Sequence, residues 1–236
     1  MKSAVRVKNL NFSYPGVPGV LKNLSFEILS GERVGIIGPN GAGKTSLIFH
    51  LNGLLEGDFE EFEIFGHSLR DKNNLSKIRE MVGVVFQDPN DQLFMPTVFE
   101  DVGFAARQKG VAGEPLANLV RGAMEQVGLP HWLGGKMAHH LSCCEKKKVS
   151  LAAVFAQQPL ILVLDEPTAS LDPAGRRELL EILNKFKITL LVASHDLNLI
   201  RGTCKKVFFL NKGEQVYFGP AGAILDDEKF LVANGL

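Results

Sequence analysis

A glycine-rich loop between a strand pattern and a helix pattern is the strongest chemical signal in the sequence. It follows the apolar run Arg33–Ile37, precedes the helical run Ser46–Leu51, and consists of Gly38, Pro39, Asn40, Gly41, Ala42, Gly43, Lys44 and Thr45. Glycines let backbone N–H groups turn toward phosphate oxygens, the lysine adds a positive charge, and the threonine hydroxyl can hold Mg²⁺. Ser46 can bond the α-phosphate. The loop therefore predicts a site for nucleotide phosphates with Mg²⁺.

A pair of adjacent carboxylates, Asp165 and Glu166, follows the buried-strand pattern Leu160–Leu164. The carboxyl ends of parallel strands meet at the sheet edge where ligands bind. Asp165 is predicted to hold Mg²⁺ through water, and Glu166 to orient or deprotonate the water that attacks the γ-phosphate. The pair predicts nucleotide hydrolysis, and a solvated turn or a helix cap is the alternative.

Two further strand patterns end in polar side chains that would reach the same sheet edge. Gln87 follows Met81–Phe86, and His195 follows Thr189–Ala193 and a serine. Gln87 is predicted to contact Mg²⁺ or water, and His195 to donate a hydrogen bond to the γ-phosphate. Taken alone, a glutamine or histidine in such a place is more often an ordinary loop residue.

The order of the patterns predicts an α/β fold. Short apolar runs alternate with helical patterns, which is typical of a largely parallel sheet. The first thirty residues predict short antiparallel strands, and the tail predicts strands at Val207–Leu210 and Gln215–Phe218. The stretch 97–158 is too long for one crossover, so it is predicted to be an inserted helical subdomain. The whole chain is then a single domain over 1–236, with its nucleotide-binding core formed by 1–96 and 159–236.

Composition limits the partners and the compartment. Lysine plus arginine and aspartate plus glutamate each total 26, so no basic field favours nucleic acid, and none is expected as a partner. Three cysteines form no disulfide framework and no signal-peptide pattern is present, so a reducing cytoplasm is expected. The most apolar run, Leu160–Leu164, is far shorter than the roughly 18 residues of a membrane span. Any membrane role is therefore expected to come through partners.

Together these motifs resemble those of the ABC ATPases over nearly the whole chain. The resemblance implies a P-loop NTPase core, an N-terminal antiparallel β subdomain and an inserted helical subdomain. It implies that Tyr14 stacks on the adenine of ATP, that Gln87 is the Q-loop glutamine and that His195 is the switch histidine. Asp172, in Ser-Leu-Asp, resembles the D-loop residue that crosses to a second ATPase subunit. For Tyr14 the alternative is an aromatic packed in the core.

The segment from Gln87 to Phe94 is similar to that of energy-coupling-factor importers, above all the cobalt and nickel type. This similarity implies a groove for the coupling helix of a transmembrane subunit, with Phe94 and Met95 as apolar contacts. A separate membrane subunit would bind the solute, and the ATPase would lie at the cytoplasmic face of the cell membrane. Vitamin importers are the alternative, and Leu93 with Phe94 could instead be helical core.

An adjacent pair of cysteines stands where the family normally has two glycines. The family's Leu-Ser-Gly-Gly signature binds the γ-phosphate of ATP held by the other subunit, and here it reads Ser142, Cys143, Cys144 after a leucine. Ser142 and Glu145 form a capping-box pattern, which places the cysteines at the first two helical positions. Each added Cβ and sulfur would crowd the phosphate. We therefore predict strained dimer closure and reduced turnover.

The same pair carries three further hypotheses. A thiol at a helix N-terminus beside Lys146 and Lys147 is predicted to ionise more easily than a free cysteine, which would permit a redox switch. A metal site with His139 and His140 is a weaker alternative, because adjacent cysteines and adjacent histidines seldom point together. A regulatory or binding-only protein that holds ATP without hydrolysing it is the remaining possibility.

Overall fold

The computed structural model describes residues 2–236, which form two compact units. Unit 1 comprises 2–84, 160–166 and 186–236. Unit 2 comprises 85–159 and 167–185, and it includes the segment 97–158 that was predicted to be a helical subdomain. The strands are β1 Ser3–Tyr14, β2 Val17–Leu29, β3 Arg33–Ile37, β4 Glu61–Ile64, β5 His67–Ser68, β6 Val82–Val85, β7 Ile161–Asp165, β8 Thr189–Ala193, β9 Lys206–Asn211 and β10 Glu214–Pro220.

The helices are distributed over both units. Those of unit 1 are α1 Lys44–Leu51, α2 Leu75–Met81, α7 Leu197–Thr203, α8 Gly222–Leu225 and α9 Glu228–Ala233. Those of unit 2 are α3 Val98–Gln108, α4 Gly113–Gln126, α5 Cys143–Phe155 and α6 Pro173–Lys185. Within the described part of the chain, we find no helix whose length and apolar content would let it span a membrane.

The larger sheet has the strand order β10-β9-β3-β8-β7-β6. β3 pairs in parallel with β8 and β9, and β7 pairs in parallel with β8, while β10 runs antiparallel to β9. Every residue of β7 and β8 is buried, as expected for parallel strands covered on both faces. The prediction of a mostly parallel sheet is confirmed, and β3 and β8 have the predicted bounds.

The second sheet, with the order β2-β1-β4-β5, forms the antiparallel N-terminal part. The prediction of short strands here was wrong, because β1 has 12 residues and β2 has 13. Register shifts interrupt their pairing, and Asn9 and Asn23 have positive φ angles of 53° and 50°. Such bulges let a ladder continue past residues that would otherwise end it. β4 and β5 were not predicted.

Burial along β7 provides a test of the core. Leu162 is fully buried, whereas Leu160, two residues earlier, is 49% exposed. We expect Leu162→Ala to reduce the free energy of unfolding by about 2–5 kcal/mol because a cavity replaces the side chain. Leu160→Ala is the matched control and should cost less than about 1 kcal/mol. Urea unfolding of both variants measures this, and equal losses would contradict the burial of Leu162.

Candidate functional site

The glycine loop takes a backbone path that side chains would block. Gly38 has φ of 149°, and a Cβ added to it would lie 1.9 Å from the carbonyl oxygen of Leu210. Gly43 has φ of 106°, and its Cβ would lie 2.8 Å from the oxygen of Val20. Both angles are in the range that favours glycine. The loop is therefore held close to neighbouring backbone.

Helix α1 begins directly at the loop. Its N-cap residue is Gly43, and no side chain caps the helix, so the positive end of its dipole can receive an anion. Lys44 is buried, and its Nζ donates to the carbonyl oxygens of Gly38 at 2.7 Å and Pro39 at 3.1 Å. Burial lowers the pKa of Lys44, and the nearby carboxylates oppose that shift. Loop, helix end and ammonium thus form a cradle suited to phosphate.

Thr45 connects the loop to the end of β7. Its Oγ1 donates to Oδ2 of Asp165 at 2.8 Å, and Asp165 is 3% exposed. A hydroxyl and a carboxylate oxygen at hydrogen-bond distance are the hard oxygen ligands that Mg²⁺ prefers. These two residues therefore fit the metal predicted for this edge of the sheet.

Glu166 is held in place by the end of β8. Its Oε2 accepts hydrogen bonds from Ser194 Oγ at 3.1 Å and from the backbone N–H of His195 at 3.3 Å. The imidazole Nδ1 of His195 lies 2.9 Å from the same oxygen. Glu166 has a positive φ of 41°, an unusual backbone conformation for this residue. Ser194, which is fully buried, was not among the predicted site residues, although its place at a strand end marked it.

Tyr14 is neither core nor free surface. The residue is 38% exposed, and its ring meets that of Phe12 edge-on, with the ring centroids 4.7 Å apart. Its hydroxyl lies 3.2 Å from the hydroxyl of Ser46 in α1. The alternative of a core aromatic is therefore wrong, and Tyr14 lies beside the helix that carries the phosphate residues.

The segment predicted to be an altered signature lies in unit 2, where it begins α5. Ser142 Oγ accepts from the N–H of Glu145 at 3.3 Å, and Glu145 Oε2 accepts from the N–H of Ser142 at 2.8 Å. This reciprocal pair confirms the capping box, and Cys143 and Cys144 are the first two helical residues as predicted. A capping box satisfies helix N–H groups at the helix start. The cysteines therefore do not disturb their own helix.

The two cysteines have different surroundings within unit 2. Cys143 is exposed, whereas Cys144 is half-buried, and its Sγ lies 3.4 Å from where a Cβ on Gly175 of α6 would be. The prediction of easier ionisation is wrong for Cys144, because burial raises the pKa of its thiol more than Lys148 lowers it. The imidazole rings of His139 and His140 meet edge-to-face, with their centroids 4.2 Å apart. Within residues 2–236 no group of three or more His, Cys, Asp or Glu is placed to hold a metal ion.

Other predicted residues of unit 2 lie on one surface. Gln87, Cys143, Lys147 and Ser170 contribute to the lining of a cavity of about 380 Å³. Lys147 Nζ donates to the backbone oxygen of Gln87 at 3.0 Å. Asp172 caps the start of α6, where its Oδ1 accepts from the N–H of Gly175 at 2.8 Å. Unit 2 thus brings Gln87, Cys143 and Ser170, which the sequence predicts to belong to three separate motifs, to one cavity.

The segment after Gln87 is not helical core, and that alternative is wrong. Phe94 is 66% exposed in an irregular stretch, and its ring meets Phe104 at a centroid distance of 5.1 Å. Asp101 Oδ1 accepts from the backbone N–H groups of Phe94 and Met95, each at 3.0 Å. The carboxylate therefore holds the loop so that one aromatic ring faces solvent.

Comparison with known proteins identifies the family. The sequence model described as ABC transporter matches residues 21–169, and that of an AAA domain matches 138–201. A Streptomyces coelicolor relative, provisionally named an ABC transporter ATP-binding protein, is 43% identical over 234 residues, covering 99% of this chain and 89% of that protein. The energy-coupling factor transporter ATP-binding protein EcfA of Methanocaldococcus jannaschii is 40% identical over 235 residues. The match covers 98% of this chain and 84% of that protein.

Two solved structures are also similar to this chain. CbiO1 from Clostridium perfringens, described as part of the ABC transporter complex CbiONQ, has a TM-score of 0.86 at 32% identity, covering 99% of this chain and 94% of that one. A dimeric ATP-binding cassette in a post-hydrolysis state, bound to ADP and phosphate, has a TM-score of 0.84 at 26% identity. The match covers 92% of this chain and 98% of that one. The chain therefore belongs to the ABC transporter family, as an ATPase of the energy-coupling factor type.

Proposed function

We propose that this chain binds ATP with Mg²⁺, pairs with a second ABC ATPase subunit, and hydrolyses ATP to drive a separate transmembrane subunit. The observation that carries the proposal is the hydrogen bond from Thr45 to Asp165, with Lys44 beside it and Glu166 directly after the strand. This arrangement sets a phosphate cradle, two oxygen ligands for a cation and a second carboxylate at one sheet edge.

The proposed chemistry follows from the positions of these groups. The Lys44 ammonium offsets the charge of the β- and γ-phosphates, and bound Mg²⁺ would neutralise further phosphate charge between Thr45 and Asp165. Glu166 orients the attacking water and accepts its proton. The bonds that its Oε2 accepts from Ser194 and His195 fix the carboxylate in one orientation. We propose that His195 also meets the γ-phosphate, as the resemblance implies.

The proposed partners are those of an energy-coupling factor importer. The similarity to EcfA and to CbiO1 supports a second ATPase subunit, a transmembrane coupling subunit and a substrate-binding membrane subunit. The ATPase would lie at the cytoplasmic face of the membrane, attached through these subunits. The segment from Gln87 to Phe94 resembles the cobalt and nickel type, so we propose one of these ions as the solute, with a vitamin as the alternative.

A second candidate is a regulatory or binding-only protein, and the cysteine pair favours it. In the family arrangement the signature would face ATP held by the other subunit. Exposed Cys143 carries a Cβ and a sulfur where a glycine would leave room. Binding of ATP by Lys44 and Thr45 would persist while dimer closure is strained.

Removal of the proposed base separates binding from hydrolysis. We expect Glu166→Gln to lower the ATPase rate by about 10²–10⁴-fold, because the amide cannot accept the proton, while the Kd for ATP stays within about threefold. Lys44→Ala should instead raise the Kd by about tenfold or more, since a charged hydrogen bond to phosphate is lost. ATPase assays and nucleotide titration measure both effects, with exposed Glu181→Gln as the control. Unchanged turnover in Glu166→Gln would rule out this base.

The cysteine pair can be tested one residue at a time. We expect Cys143→Gly to raise the ATPase rate by about tenfold, because relief of overpacking is worth about 1–3 kcal/mol. Cys144→Gly is the matched control, since its sulfur faces α6, and it should lower stability by about 1 kcal/mol without a gain in rate. Equal ATPase rates for the Cys143→Gly variant and the unaltered chain would show that the cysteine is tolerated.

The proposed docking of a coupling helix concerns Phe94. We expect Phe94→Ser to reduce co-purification of the transmembrane subunit by about tenfold, because an exposed aromatic anchor is lost. The ATPase rate of the isolated chain should stay within about twofold. Trp132→Ser is the matched control, since Trp132 is also 66% exposed in unit 2. Equal losses in the two variants would place the coupling contact elsewhere.

A further inference from the structure

A closed set of contacts joins Tyr14 of β1 to helix α1 within unit 1. The Tyr14 hydroxyl lies 3.2 Å from the hydroxyl of Ser46. The Tyr14 ring meets Phe12 edge-on, and Phe12 meets the imidazole of His50 edge-on, each at a centroid distance of 4.7 Å. The Nδ1 of His50 in turn lies 2.7 Å from the carbonyl oxygen of Ser46. Tyr14 is therefore held from two directions, by an aromatic neighbour and by the hydroxyl of Ser46.

The positions of these residues in the sequence explain the contacts. Phe12 and Tyr14 are alternate residues of a strand, and side chains at such positions lie on the same face. Ser46 and His50 are one helical turn apart on α1 and also share a face. One face of β1 thus packs against one face of the helix that follows the phosphate loop.

The hydroxyl of Ser46 has a single partner in the described part of the chain, and that partner is Tyr14. Ser46 lies in the first turn of α1, directly after Lys44 and Thr45. The N-terminal turn of a helix is where a bound anion is favoured. The sequence predicts that Ser46 bonds the α-phosphate there, so the Tyr14 hydroxyl is one bond away from a predicted nucleotide contact.

The chemistry of the two hydroxyls fixes the direction of their bond once nucleotide is present. Each hydroxyl carries one proton and can also accept, and either oxygen can be the donor in the bond between them. The oxygens of an α-phosphate only accept, so a bound nucleotide would take the proton of Ser46. Tyr14 must then donate to Ser46. The protons would thus point from Tyr14 through Ser46 to the phosphate.

We propose that Tyr14 is a positioning residue for the α-phosphate of ATP: its hydroxyl donates to Ser46 Oγ and so orients the Ser46 hydroxyl toward the phosphate. This inference rests on the function proposed above. Hydrogen bonds in such a chain polarise one another, so the outer bond strengthens the inner one. Stacking on adenine would use the face of the ring, whereas the donated bond uses the hydroxyl at its edge. The two roles of Tyr14 can therefore be separated by experiment.

Removal of the Tyr14 hydroxyl alone tests the proposal in the full chain. We expect Tyr14→Phe, which keeps the ring, to raise the Kd for ATP by about fivefold, since the bond from Ser46 to the phosphate loses its support. In a Ser46→Ala background the same change should alter the Kd by less than about twofold, because Tyr14 acts through Ser46. Tyr217→Phe is the matched control. Tyr217 is the other tyrosine of the chain, and its hydroxyl donates to the carbonyl oxygen of Pro220, so its loss should leave the Kd within about twofold. Nucleotide titration measures each Kd.

The two diastereomers of ATP that carry sulfur on the α-phosphate separate positioning from a purely structural bond between β1 and α1. Sulfur is a weak hydrogen-bond acceptor, and in one diastereomer it would replace the oxygen that Ser46 contacts. For that diastereomer the effect of Tyr14→Phe should fall below about twofold, whereas ATP and the other diastereomer should keep the change of about fivefold. A structural bond would give the same factor for all three nucleotides.

The possible outcomes distinguish this inference from the proposed function. An unchanged Kd in Tyr14→Phe would overturn the inference and leave Tyr14 with stacking alone. An equal factor for all three nucleotides, or an effect that persists in the Ser46→Ala background, would also overturn it. If the unaltered chain does not bind ATP, the proposed function fails and this inference fails with it. If Lys44→Ala weakens ATP binding and Tyr14→Phe does not, only this inference fails.

Discussion

The hydrogen bond from Thr45 to Asp165 is the contact on which the candidate nucleotide site depends. It joins residues 120 positions apart in the chain, so it forms only after the sheet has brought their segments together. β8 lies between β3 and β7, so the strand before the loop and the strand that ends in Asp165 flank a common neighbour. The phosphate loop, the proposed cation ligands and the proposed base therefore all depend on the parallel pairing of β3, β8 and β7.

Much of this arrangement follows from the sequence, for a physical reason. β3 and β8 are short, apolar and almost entirely buried. Continuous apolar runs of this kind are typical of parallel strands that are covered on both faces, so the sequence indicates their place in the sheet. Gly38 and Gly43 lie so close to neighbouring backbone that a Cβ at either position would clash. The glycine pattern of the sequence therefore indicates the path of the loop. The site residues that end strands were predictable because strand direction fixes where they lie.

Other features depend on contacts that no local pattern specifies. β1 and β2 continue through bulges at Asn9 and Asn23, which makes them longer than the short strands that the sequence predicts. A helical pattern places Cys143 and Cys144 at the start of α5, but only tertiary packing determines that one faces solvent and the other faces α6. The pKa of the Cys144 thiol rises for the same reason, since burial raises it more than Lys148 lowers it.

The backbone at Glu166 carries a wider consequence. A positive φ at a residue other than glycine costs about 1–3 kcal/mol, and the bonds from Ser194 and His195 help hold the carboxylate there. Selection for stability alone would favour glycine at this position, because glycine adopts that conformation without strain. A glutamate at this position therefore costs the fold some stability, while its carboxylate is held in one orientation. Engineering that optimises only thermal resistance would therefore favour loss of the carboxylate that we propose as the base.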